Sequence, residues 1–151
     1  MKKVVVASLV GIGIYSVFKY QRLKKGASSL HAKIIGVNGL DIGFDKINFR
    51  LSIALKNNSD TDLGINTYKL LKLSEINFFN KQNGNYLGTA KTNISEIQIP
   101  KKDILVIKDI PTVLPVQNIL SNIKLFNKNI EQNLKIVLIF DSLGKRFEVI
   151  V

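Results

Sequence analysis

"INFRLSIALKNNSD", Ile47 to Asp60, alternates apolar and polar residues and then stops alternating. Ile47, Phe49, Leu51, Ile53 and Leu55 fall on one face; Asn48, Arg50, Ser52, Ala54 and Lys56 fall on the other. Successive side chains leave a strand on opposite sides, so this period of two predicts a strand with one buried and one wet face. The polar run from Asn57 to Asp62 ends it, because Asn, Ser and Asp side chains bond nearby backbone amides and favour turns.

Outward from this strand the same rhythm recurs. Upstream, "AKIIGV" and "LDIGFD" flank Asn38-Gly39, which predicts a hairpin turn there. Downstream come "LGINTYKLLKLSEINFFN", the loop "KQNGN", "YLGTAKT", "SEIQIP" and "DILVIKDIPTVLPV". The apolar parity changes between Leu73 and Ile76, which predicts a bulge near Ser74-Glu75. A final pair, "LKIVLIF" and "RFEVIV", is joined by "DSLGK", with Gly144 available for a positive φ. One segment breaks the pattern: Val116, Ile119, Leu120, Ile123 and Phe126 follow Pro115 at helical spacing, predicting a short helix that caps an open end of the sheets. Seven or more strands with turn signals about every ten residues predict an antiparallel β-sandwich.

The chain has 151 residues and no cysteine, which removes disulfides, thiolate metal sites and cysteine nucleophiles. Its net charge of +11 is unevenly placed. Residues 1–30 contribute +6 without a single acid, and the remaining residues a modest +5. Only Arg22, Arg50 and Arg146 are arginine, the side chain suited to bidentate base and phosphate contacts, so no specific nucleic-acid binding is expected.

The first thirty residues are a different kind of sequence. "VVVASLVGIGIYSVF", Val4 to Phe18, is uncharged and bracketed by Lys2-Lys3 and Lys19. Val4, Val5, Val6, Leu9, Val10, Ile12, Ile14, Tyr15, Val17 and Phe18 supply its apolar surface. Extended through Tyr20 it makes 17 residues, about 26 Å of helix, at the short end of what spans a bilayer. A cleaved signal needs small residues directly after its apolar region; here "KYQRLKK" comes first and "GASS" only after it. The expected organisation is a hydrophobic anchor helix over 1–25, a linker over 26–30 and a sandwich over 31–151, in a single-pass membrane protein. Basic residues slightly outnumber on the linker side, which by the positive-inside rule turns the sandwich to the cytoplasm.

The order of these features resembles the second group of late embryogenesis abundant (LEA) proteins, which includes the water-stress and hypersensitive-response domain. The matching pieces, over Leu40 to Ile123, are "LSIALKNNS", "LGINTYKLLKL", "NYLGTAKT", "IQIPKKD" and "ILVIKDIPTVLPVQNIL". The turn Asn57, Asn58, Ser59 carries the family motif, with Asn58 where the family usually has proline. The resemblance implies a small antiparallel β-sandwich of the fibronectin or immunoglobulin kind with one short helix, and a non-enzymatic role tied to stress protection or to binding at membranes.

Chemistry-bearing patterns are sparse. Asn58, Asp60 and Asp62 alternate like calcium ligands, but a loop starting at Asn58 has Leu63 where an EF-hand needs glycine and Lys69 where it needs glutamate. His31 is the only histidine, which leaves no two-histidine metal site and argues against a Ser-His-Asp triad. Asp41 and Asp45 sit at turn-prone positions as solvated carboxylates. Asn57 and Asn93 fit the glycosylation pattern, a common coincidence in an Asn-rich chain. The sequence therefore predicts no enzyme, metal or cofactor, and a membrane-tethered binding or structural protein that takes protein partners or a second copy. The alternative is a structural subunit of a larger assembly such as a phage virion, its apolar segment buried in protein or membrane.

Overall fold

Strand alternation becomes two sheets that share one core. The computed structural model describes residues 28–63, 71–121, 130–142 and 144–151. The expected anchor, the linker up to residue 27, and Ile123 and Phe126 of the expected helix lie outside the described residues. The strands are β1 (Leu30–Ile42), β2 (Lys46–Asn57), β3 (Lys72–Asn80), β4 (Tyr86–Ile94), β5 (Ile104–Pro115), β6 (Leu134–Ser142) and β7 (Lys145–Ile150). One sheet has the order β1-β2-β5 and the other β4-β3-β6-β7, with every named pair antiparallel.

The five inward residues of β2 meet inward residues of the second sheet: Ile47, Phe49, Leu51, Ile53 and Leu55 are buried together with Leu73, Ile76, Phe78, Leu138 and Phe140. Phe49 and Phe78 join the layers edge to face, with ring centroids 5.7 Å apart. Where β4 approaches β5 the layers come too close for a side chain. Gly88 has φ +153°, and a Cβ there would stand 2.8 Å from Leu114 Cδ2.

The bulge expected near Ser74-Glu75 is present. From Leu73 to Glu75 β3 advances two residues while β6 advances one, from Phe140 to Ile139, and the Ser74 hydroxyl donates to the Ile139 carbonyl at 3.1 Å. The hairpin turn expected at Asn38-Gly39 is not there. β1 runs through it, with Gly39 at φ +62° inside a bulge where Gly39 and Leu40 together oppose Phe49. An Asn-Gly pair supplies positive φ equally well to a turn and to a bulge, and the chain reverses later, where Gly43 N donates to Lys46 O at 2.9 Å. β1 has a second bulge at Ile35, and β5 has one at Lys108-Asp109, where Asp109 takes φ +55° and its N–H donates to the buried Ser52 hydroxyl.

The segment after Pro115 also differs from expectation over its described part. Val116–Asn118 form a 3-10 turn rather than the first turn of an α-helix. Val116 N is held by the Asp45 carbonyl at 3.0 Å, which ties the segment start to the β1–β2 turn. Val116 and Ile119 are buried as the apolar spacing predicted, while Leu120 is exposed. A four-residue helix not foreseen from the sequence, α1 (Ile130–Asn133), leads into β6. In "SEIQIP", Ile99 pairs with Leu63 through an isolated bridge and Ile97 N donates to Leu71 O at 3.4 Å.

Candidate functional site

The turn that ends β2 is densely hydrogen-bonded. Alternation continues one step past Leu55, so Asn57 takes the next core-facing position and is fully buried. Its Nδ2 donates to the carbonyls of Thr61 at 2.8 Å, Ile99 at 3.1 Å and Pro100 at 3.1 Å. Its Oδ1 accepts from Ser59 N at 3.0 Å and from Ser59 Oγ at 2.6 Å. The Asn57 N–H donates to Asp103 O. One amide thus joins the 57–61 turn to the 99–103 segment and leaves none of its own hydrogen-bonding groups idle.

Asn58, the next residue, turns the other way. Its N–H donates to Ser29 O, its Nδ2 lies 2.9 Å from His31 Nδ1, and its carbonyl accepts from Lys102 Nζ at 2.7 Å. His31 Nδ1 also lies 3.2 Å from Ser29 O, so its tautomer decides which of the two contacts is a hydrogen bond. The expectation that side chains of Asn57, Asn58 and Ser59 would set this turn by bonding backbone amides holds for Asn57; Ser59 Oγ accepts from Thr61 N at 3.3 Å, and Asn58 reaches His31 instead. β3 ends on the same device: Asn80 is buried and its Oδ1 accepts from Gln82 N at 2.9 Å.

The carboxylates of the calcium-like pattern are engaged within the protein. Asp60 pairs with Lys102 at 3.2 Å, and Asp62 accepts from Lys101 N at 2.8 Å. Among the described residues, no group of three or more His, Asp or Glu is placed to hold a metal ion. Asp41 lies opposite Asn48 on β1 and Asp45 in the following turn, both exposed. Burial of the Asn57 side chain closes the glycosylation reading at that position, since a glycan there would need the amide nitrogen in solvent. The ten residues expected to form an anchor, from Val4 to Phe18, lie outside the described residues. Among the described residues, no helix is long and apolar enough to cross a membrane.

Two surface features were not read from the sequence. A cleft of about 480 Å³ lies between β1 and the start of β6, lined by Ala32, Ile34, Leu134 and Val151 with Lys81 and Glu131. Its members come from four separated segments, so no local pattern announces it. The second is the tip of the β1–β2 hairpin, where Phe44 is fully exposed at 101% and Leu40 and Ile42 are partly exposed. The misplaced turn hid this tip, because a reversal at Gly39 would have put Phe44 within a strand.

No family model matches the chain, and no curated protein does. Solved structures do at the level of shape. A protein from Archaeoglobus fulgidus is 9% identical with a TM-score of 0.40, covering 82% of this chain and 89% of its own. A structural genomics target, SoR45, is 14% identical with a TM-score of 0.41 and 83% of each chain covered. A candidate LEA protein is 12% identical with a TM-score of 0.38, covering 92% of this chain and 86% of its own. These likenesses are distant, and neither a family nor an activity is assigned to the chain from them.

Proposed function

We propose that the chain is a non-enzymatic β-sandwich module held at a membrane by its N-terminal segment, where it binds or shields a partner. The observation that carries this reading is the uncharged run Val4 to Phe18 and the basic cluster Lys19, Arg22, Lys24 and Lys25 directly upstream of β1. In support of a non-enzymatic role, the side-chain amide of Asn57 is occupied by bonds within the protein, and Asp60 and Asp62 are engaged at the surface by Lys102 Nζ and the Lys101 N–H.

The test is fractionation of cells expressing the full chain beside Leu9→Asp, with membranes washed in alkaline carbonate. The full chain should stay in the pellet and Leu9→Asp should move to the supernatant, because a carboxylate near the centre of a spanning helix costs about 2.5–3.5 kcal/mol. Full-chain protein extracted by carbonate would end the membrane reading.

A further inference from the structure

We propose that the β1 edge and the β1–β2 turn lie against the lipid surface, so that the sandwich rests on the membrane along this edge rather than standing away from it. The inference rests on the tether reading above and adds an orientation and a lipid-contacting surface to it.

Isolated exposed apolar residues are ordinary. Here four fall within ten positions of one edge strand and its turn: Ile35, Leu40, Ile42 and Phe44. Phe44, at 101% exposure, makes no side-chain burial at all. This strand also follows the uncharged run most closely. From Tyr20, where the apolar span ends, to Leu30 the chain can reach at most about 35 Å, so the start of β1 stays within that distance of the headgroups. The 13 residues of β1 span roughly 43 Å, so an edge lying flat brings Phe44 to the surface and an upright sandwich lifts it away. An exposed aromatic ring beside apolar aliphatics suits the boundary between headgroups and acyl chains, and Lys33 and Lys46 can lay their stems along it with the ammonium groups toward phosphates. Asp41 and Asp45 offset those two lysines, so apolar contact carries the association and anionic lipid is not required.

The chain contains no tryptophan, so a single introduced one reports its own surroundings. The full chain carrying Phe44→Trp is reconstituted into phosphatidylcholine vesicles with and without brominated phosphatidylcholine, beside Tyr86→Trp on β4, the edge strand of the other sheet. Circular dichroism and carbonate extraction check that both variants fold and insert. Lipid contact predicts that the emission of the residue-44 reporter shifts to shorter wavelength and is lost to the brominated lipid, while the residue-86 reporter keeps water-like, unquenched emission. Inserted protein whose residue-44 emission is water-like overturns the orientation but leaves the tether standing. A shifted emission that brominated lipid does not quench means that protein, such as a second copy, covers the tip, and overturns lipid as the occupant. Quenching of both reporters means that the sandwich does not rest on the β1 edge. Protein that carbonate extracts brings down the tether reading and this inference together.

Discussion

A single buried amide decides how the 57–61 turn and the 99–103 segment are joined. Asn57→Ala leaves the carbonyls of Thr61, Ile99 and Pro100 without that donor and the Ser59 amide without its acceptor. The expected loss is about 2–4 kcal/mol, more than one ordinary hydrogen bond because buried groups are left unsatisfied. Urea unfolding should show a lower midpoint at an unchanged slope. Asn57→Asp keeps the shape but aims a carboxylate at three carbonyls. Its stability should therefore rise as pH falls, when the protonated acid regains one donor, and fall toward neutrality. The position was legible in principle. Alternation of apolar residues from Ile47 runs straight into it, so a polar side chain on the buried face was a stronger signal than a turn residue alone. Asn80 closes β3 in the same manner.

At the scale of elements, strand parity was the dependable signal and local turn chemistry the weaker one. The change of face between Leu73 and Ile76 demanded an extra residue, because side chains cannot switch faces in a regular strand, and β3 supplies it at Ser74-Glu75. Asn38-Gly39 required only a positive φ, which a bulge satisfies as fully as a turn. After Pro115 the described start of the segment is a 3-10 turn, because the step of three that buries Val116 and Ile119 suits that tighter turn as well as an α-helix. The close approach of β4 to β5 makes a sharper prediction. Gly88→Ala should cost about 1–3 kcal/mol, since the new methyl meets Leu114 at 2.8 Å and the positive φ is strained for alanine. In a double-mutant cycle with Leu114→Ala, read by urea denaturation, the two losses should sum to less than expected, because truncating Leu114 relieves the contact but not the φ strain.

For the whole molecule, the two-sheet architecture was readable because each sheet needs its own inward face, and β2 alone supplies five fully or nearly buried apolar side chains. The cleft and the hairpin tip were not readable, since they arise from segments brought together only by the pairing of β1 with β2 and the packing of α1 beside β1. The two outer strands of the β1-β2-β5 sheet are also the interrupted ones, β1 at Ile35 and at Gly39-Leu40, β5 at Lys108-Asp109. An uninterrupted edge strand is a template on which further chains can add and grow into fibrils, and bulges spoil that template. Deleting Gly39 would restore one-to-one pairing of Leu40 with Phe49 and straighten the distal half of β1. Light scattering at high protein concentration should then show faster aggregation than for the parent chain, at little cost in native secondary structure by circular dichroism. The misread Asn-Gly pair thus protects the molecule from polymerising through its own edge, a hazard that grows wherever many copies are crowded onto one surface.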